Sequence, residues 1–215
     1  MVISPSDKEL EVKFNIGNLA DLESRLVAGG ATLVQPRTHE YNLRFDTPSG
    51  DLGQRESMLR LRRDAASHVT YKGPSTTLGG VLARQEIEFE VSSFAAAQKM
   101  IEALGFRSKF VYEKYRTTYA QDGLKVTLDE MPYGHFAEIE GKEAAPIQAK
   151  AKQLGLDWGE RLPETYISIF RRLKELLNLQ FNDLTFANFT NVKFDLMRAG
   201  VKFADKDVAT EKRGQ

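Results

Sequence analysis

The chain has 215 residues, 41% of them hydrophobic, enough to bury one substantial core in a single domain with an appendage. Lysine plus arginine and aspartate plus glutamate each total 30, so the formal net charge is zero and the basic excess of a general nucleic-acid binder is absent. No cysteine is present, which excludes disulfides and thiolate chemistry. No apolar run approaches ~20 residues and no basic-then-apolar leader opens the chain, so the expectation is a cytoplasmic protein without a membrane partner.

In chain order, Glu9-Leu10-Glu11-Val12-Lys13 opens a strand that ends near Ile16-Gly17. Asn18 offers an N-cap to a helix through about Ala28, with apolar places at Leu19, Leu22, Leu26 and Val27 and a stop at Gly29-Gly30. A strand toward Phe45 meets the turn Thr47-Pro48-Ser49-Gly50, and further strands are predicted over 56–64, 67–73 and 83–92. Gly73-Pro74 and Gly79-Gly80 frame a predicted loop between the last two. Ser92-Ser93 begins a helix to Leu104, stopped by Gly105. Strands near 107–120, 124–130 and 135–141 follow, the first two joined by the hairpin signal Asp122-Gly123. Each half reads as strand, helix, three strands, a weak internal duplication. Helices are expected at about 146–155 and 164–178. The Phe-rich stretch from Phe181 to Phe203 is too apolar to hang free and should cap or buttress the body, whereas Lys206 to Gln215 read as disordered. The predicted division is a domain over 1–180 and a packing segment with its tail over 181–215.

Alternation puts Glu9, Glu11 and Lys13 on one strand face and Leu10, Val12 and Phe14 on the other. The same ionised face recurs in Leu59-Arg60-Leu61-Arg62, in Arg84 to Glu90, in Glu113-Lys114-Tyr115-Arg116 and in Glu138-Ile139-Glu140. Alternation alone allows these faces to look outward to water or inward at one another. Outward charge would leave the amphipathic helices nothing to cover. Inward charge gives both sets of apolar faces a partner and lines a tunnel. An even number of antiparallel strands can close on itself without edges. The fold class expected is α+β, an eight-stranded antiparallel closed β-barrel with helices packed outside and a C-terminal helical segment.

The lining would hold paired carboxylates in three Glu-x-Glu segments. Two carboxylates ~5 Å apart repel by roughly 3 kcal/mol at an effective dielectric of ~20, so such pairs call for cations. Oxygen-only ligands select hard divalent ions, Mg²⁺ or Mn²⁺. Converging arginines and lysines make a receptor for a multiply charged phosphate ligand.

The ordered set Glu9-x-Glu11-x-Lys13, Phe45-Asp46-Thr47-Pro48, Leu59-Arg60-Leu61-Arg62, Thr70-Tyr71-Lys72-Gly73-Pro74, Arg84-x-Glu86-x-Glu88, Lys114-x-Arg116, Leu128-Asp129-Glu130 and Gly134-x-Phe136-x-Glu138-x-Glu140 resembles the CYTH family of triphosphate tunnel metalloenzymes. That family includes class IV adenylyl cyclases, thiamine triphosphatases and inorganic triphosphatases, and the likeness spans about residues 7 to 178. The resemblance implies that Arg60, Arg62, Lys72, Arg84, Lys114 and Arg116 grip a triphosphate, together with Lys13. It implies that Glu9, Glu11, Glu138 and Glu140 hold the metal, with Glu88 and Asp129 contributing to a second ion or to positioning water. Lys13, Glu88 and Asp129 are the catalytic candidates. Glu86 and Glu90 rank lower, as partners of arginines across the ladder. Asn42 and Arg44 depart from the family pattern.

The three histidines His39, His68 and His135 read as surface or turn residues, and the basic residues of Phe170-Arg171-Arg172-Leu173-Lys174 as the solvated face of a helix. The expected ligand is a triphosphate-containing small molecule, and the reading leaves room for a homodimer. Attack by water would make a triphosphatase; attack by a ribose 3′-oxygen of ATP would make an adenylyl cyclase. Cyclases of the family often carry a His-Phe element before the first Glu-x-Glu, and Met1 to Lys8 contain none, which favours hydrolysis. A non-catalytic polyphosphate or nucleotide-binding module is the third reading, disfavoured by so many acids beside an anion.

Overall fold

The structure, a computed structural model, describes residues 8–205, with side chains from Leu10 onward. The expected disordered tail lies outside these residues. Eight strands run β1 (Lys8–Ile16), β2 (Thr32–Asp46), β3 (Met58–Arg63), β4 (Ser67–Leu78), β5 (Val81–Glu90), β6 (Arg107–Gln121), β7 (Leu124–Met131) and β8 (Gly134–Gly141). They close into an antiparallel barrel in the order β1-β5-β4-β3-β2-β6-β7-β8, with β8 returning to β1 through seven residue pairs from Leu10↔Gly141 to Ile16↔His135. Closure removes both sheet edges.

The weak duplication in the sequence pattern has a topological counterpart. Exchanging β1–β4 for β5–β8 maps the ring order onto itself, and each first strand leads into a helix, α1 (Leu19–Ala28) or α3 (Phe94–Ala103). The short helix α2 (Asp51–Gln54) interrupts only the first half.

Local chemistry explains the boundaries. The Asn18 side chain accepts from the Asp21 backbone N–H at 3.1 Å, and Gly30, at φ 87°, takes the left-handed turn that lets Ala31 N–H reach the Leu26 carbonyl. Ser93 caps α3 in the same way through Ala96 N–H. The Asp122-Gly123 pair, at φ 54° and 76°, makes the two-residue hairpin turn joining β6 to β7.

One expectation is corrected. Residues 73–83 do not form a loop: β4 continues to Leu78 and β5 starts at Val81. Only Gly79-Gly80 turns the chain. Gly73-Pro74 instead makes a bulge, seen as the register shift between Lys72 and Ser75.

The strands turn their apolar faces outward. Leu10, Val12, Phe14 and Ile16 of β1 are all buried, beneath Leu22 and Leu26 of α1 and Ile147 and Ala151 of α4 (Ala144–Gln153). Ala97 and Ile101 of α3 cover Leu43, Phe45, Leu61 and Val69 on the adjacent wall. Burying side chains of this size stabilises the fold by about 1.5–3 kcal/mol each.

A third cluster sits at the end of the barrel where β1 and β7 finish. There α5 (Tyr166–Leu177), capped by Thr165, sets Tyr166 against Phe136 at a ring distance of 5.1 Å and buries Ile169, Phe170 and Leu173. The Phe-rich stretch packs on the far side of α5. Phe181 stacks on Phe170, and Phe189, from the one-turn helix α6 (Phe186–Phe189), contacts Phe170, Phe181 and Tyr133. Leu184 exchanges main-chain hydrogen bonds with Val111 and Glu113 of β6. Asp205 accepts from Gly17 and Asn18 N–H at 2.8–3.0 Å, tying the end of the described chain to the start of α1.

Candidate active site

Because the apolar faces point outward, the alternate residues point in. They line a cavity of about 630 Å³ whose wall carries, among the described residues, ten basic and six acidic side chains. All six of the predicted phosphate-gripping residues, Arg60, Arg62, Lys72, Arg84, Lys114 and Arg116, lie on this wall, as do Lys13, Glu11, Glu88, Glu138 and Glu140. None of the three histidines does. Glu9 stands opposite Arg84 in the ladder between β1 and β5, but its side chain is outside the described residues. Glu86 holds Lys72 at 2.5 Å, and Glu90 is exposed and away from the cavity.

Two acidic hubs organise the cations. Glu88 accepts from the Thr70 hydroxyl at 2.6 Å, from Arg60 at 3.2 Å and from Arg62 at 3.1 Å. Burial pushes its carboxyl up, but Arg62, Thr70 and Arg60 outweigh burial and leave it below its ordinary value. Arg60 also donates to the Tyr112 hydroxyl at 3.3 Å. On the opposite wall Glu138 meets Lys13 at 3.1 Å and Arg116 at 2.5 Å. Burial opposes its ionisation, yet Lys13, Arg116 and Lys114 hold the carboxyl well below the usual range.

Asp129 departs from its expected place. It is fully buried and does not line the cavity. Its oxygens accept from Lys114 Nζ at 3.0 Å, from Arg116 Nε and Nη2 at 2.6 and 2.5 Å, and from the Tyr166 hydroxyl at 2.7 Å. Three of these four donors converge on Oδ2, while Oδ1 accepts from Arg116 Nε alone among them. Expected as a metal ligand and catalytic group, Asp129 here holds Lys114, Arg116 and Tyr166 in place.

Four residues of this site escaped sequence reasoning. Glu40, 1% exposed, lies under Lys114 and Arg116 at 3.5 and 3.9 Å. Burial raises its carboxyl, but Lys114 and Arg116 outweigh that and bring it down to about 2 from an ordinary 4.5. Tyr166 closes the floor, its ring 4.2 Å from Lys13 Nζ. Tyr112 and Arg44 line the wall. Arg171, expected on a solvated helix face, is exposed but also lines the cavity rim, whereas Arg172 pairs with Glu164 at 2.6 Å.

The lowered carboxyl of Glu40 fixes the sign of a pH effect. Its folded value lies below its unfolded one, so its contribution is complete above about pH 4.5 and disappears as the pH falls through about 2. Glu40→Gln should therefore lower urea stability at pH 7, with the gap to wild type narrowing steadily between pH 4.5 and pH 2. A gap independent of pH across that window would show that Glu40 acts by packing rather than by charge.

The acids also present hard oxygen donors to a cation. Glu11 and Glu140 stand directly opposite each other in the ladder between β1 and β8, facing the cavity, with Glu138 two residues along. Like charges directly opposite are destabilising unless a cation is shared between them, so this donor set fits a divalent ion. Among the described residues no three such groups are drawn together at ligating distance. Glu138 is held by Lys13 and Arg116, and Glu140 by Lys125.

The profile of the CYTH domain matches residues 7–172. An inorganic pyrophosphatase of Arabidopsis thaliana, TTM2, is 28% identical over 148 residues, 67% of this chain; the chain spans 21% of that protein's length. A solved structure of a candidate adenylate cyclase from Vibrio parahaemolyticus superposes with a TM-score of 0.69 at 22% identity, over 76% of this chain and 97% of that one. The PH1012 protein of Pyrococcus horikoshii superposes at 0.63 with 26% identity, over 74% and 98% of the two chains.

Proposed function

This chain belongs to the CYTH domain family, and we propose that it is a divalent-metal-dependent enzyme that hydrolyses the terminal phosphoanhydride of a triphosphate. The observation that carries this reading is the closed barrel interior, where a wall of arginines and lysines surrounds a cross-strand pair of glutamates. The pyrophosphatase relative supports phosphoanhydride hydrolysis over cyclisation.

In this reading Arg60, Arg62, Lys72, Arg84, Lys114 and Arg116 bind the phosphate oxygens, and Lys13 joins them beside Glu138. Arginine forks match phosphate oxygens and remain charged at any working pH. Asp129, Glu40 and Glu88 keep these cations aimed inward before substrate arrives. Glu11, Glu138 and Glu140, with Glu9 from the same strand face, would hold Mg²⁺ or Mn²⁺, which neutralises phosphate charge and activates the electrophile when bound. The water oxygen bonds to the terminal phosphorus, the bridging P–O bond breaks toward the remaining diphosphate, and the water proton leaves to solvent. Glu88, held below its ordinary pKa, is a weak base and serves to orient water by accepting its hydrogen bond. Among the described residues no helix is long and apolar enough to cross a membrane.

The test is incubation of the protein with Mg²⁺ or Mn²⁺ and, separately, inorganic tripolyphosphate, thiamine triphosphate and ATP. Orthophosphate release is expected. Cyclic AMP with pyrophosphate from ATP would replace this reading with the cyclase, and tight binding without turnover would replace it with a binding module.

A further inference from the structure

Most cations of the wall are already neutralised by the chain itself. Arg60 and Arg62 have Glu88, Lys72 has Glu86, Lys114 and Arg116 have Asp129, and Lys13 has Glu138. Arg44 and Arg171 stand apart from this scheme. Both line the cavity, and neither guanidinium has a hydrogen-bond or ion-pair partner among the described residues. Arg44 is half-buried and directly opposite Arg60 across the ladder between β2 and β3, a like-charge pair in which only Arg60 has an acidic partner, Glu88. Burial pushes the Arg44 guanidinium down from its ordinary value; Tyr112 opposes this, and the positive charges of Arg171, Arg84 and Arg60 add to it.

The two arginines come from separate parts of the chain, β2 and α5, and meet at the barrel end that α5 crosses. Thr165, the N-cap of α5, and Ser168 in its first turn line the same wall with their hydroxyls 2.8 Å from each other, so the positive end of a twelve-residue helix faces the same space. Two cations without an acidic partner, one half-buried and one at the exposed rim, make a site for an anion with several oxygens.

We propose that Arg44 and Arg171 form an additional phosphate subsite beside α5, reaching one phosphate group beyond those held by Arg60 and Arg84. It rests on the reading of the cavity as a triphosphate tunnel and adds to it a specific place for one end of the phosphate chain.

The test titrates wild type, Arg44→Met, Arg171→Met and the double variant with inorganic tripolyphosphate by calorimetry. Thermal unfolding in phosphate-free buffer is followed alongside. Losing one charge-assisted contact should weaken binding about tenfold in each single variant and about a hundredfold in the double. Without phosphate the Arg44→Met protein should unfold at the same or a higher temperature than wild type, because a like-charge contact has been relieved. Binding within twofold of wild type in the variants overturns the subsite alone. A lower unfolding temperature for Arg44→Met would assign Arg44 a structural role and likewise overturn it. Failure of wild type to bind tripolyphosphate overturns the triphosphate reading and the subsite together.

Discussion

Glu138→Gln is expected to cut metal-dependent triphosphate turnover by roughly a thousandfold, the range seen when one preorganised charge is removed from a reacting centre. Glu138 carries three burdens in this barrel. It holds Lys13 at 3.1 Å and Arg116 at 2.5 Å, and it stands two residues from Glu140 on the face that offers oxygen donors to the ion. A neutral amide keeps the shape and one acceptor but removes the charge from all three. The same change leaves two buried cations short of a partner, so stability should fall by about 3 kcal/mol. Urea unfolding at pH 7 separates the two effects: the protein must still be folded under assay conditions while its turnover is lost. Full turnover in a folded Glu138→Gln protein would remove Glu138 from the metal set.

Asp129→Asn, directly behind the cavity wall, should cost about 3–5 kcal/mol of stability. Against a usual total of roughly 5–15 kcal/mol that is a large share. The reason is the number of donors that one carboxylate satisfies: Lys114, Nε and Nη2 of Arg116 and the Tyr166 hydroxyl. An asparagine turns one of the acceptors into a donor that faces donors. With a urea slope of about 2 kcal/mol per molar, the midpoint should drop by roughly 2 M. The drop should be the same in chelator as in Mg²⁺, because the loss is within the chain's own ion network. A midpoint that falls only when metal is present would instead make Asp129 a ligand.

These two residues show where the sequence was sufficient and where it was not. Glu138 was legible because β8 alternates without interruption, so Glu138 and Glu140 fall on one face and Ile139 on the other. The same clean period placed Arg60 and Arg62 on β3 and Lys13 on β1. Asp129 was found as a lining candidate, but alternation says only which way a residue points, not how many donors close around it. The donor that completes its shell, Tyr166, arrives from a helix thirty-seven positions later in the chain. Glu40 was missed for a different reason. Register shifts between Leu33 and Gln35, between Gln35 and Thr38 and between Arg44 and Phe45 break the period of β2, so the inward phase of Glu40 cannot be counted from its ends. The Gly-Pro pair in β4 misled in the opposite sense, a turn signal that the barrel uses as a bulge. The helical caps and the Asp-Gly hairpin, whose causes lie within four residues, were legible throughout.

The central claim is that this barrel holds a triphosphate so that water, rather than a hydroxyl of the substrate, attacks phosphorus. Turnover in ¹⁸O-enriched water, read by the isotope shift in the ³¹P spectrum of the products, tests it most directly. With inorganic tripolyphosphate and Mg²⁺ or Mn²⁺ the account predicts one solvent oxygen incorporated per phosphoanhydride cleaved. Release of pyrophosphate from ATP with no solvent oxygen in either product would contradict it.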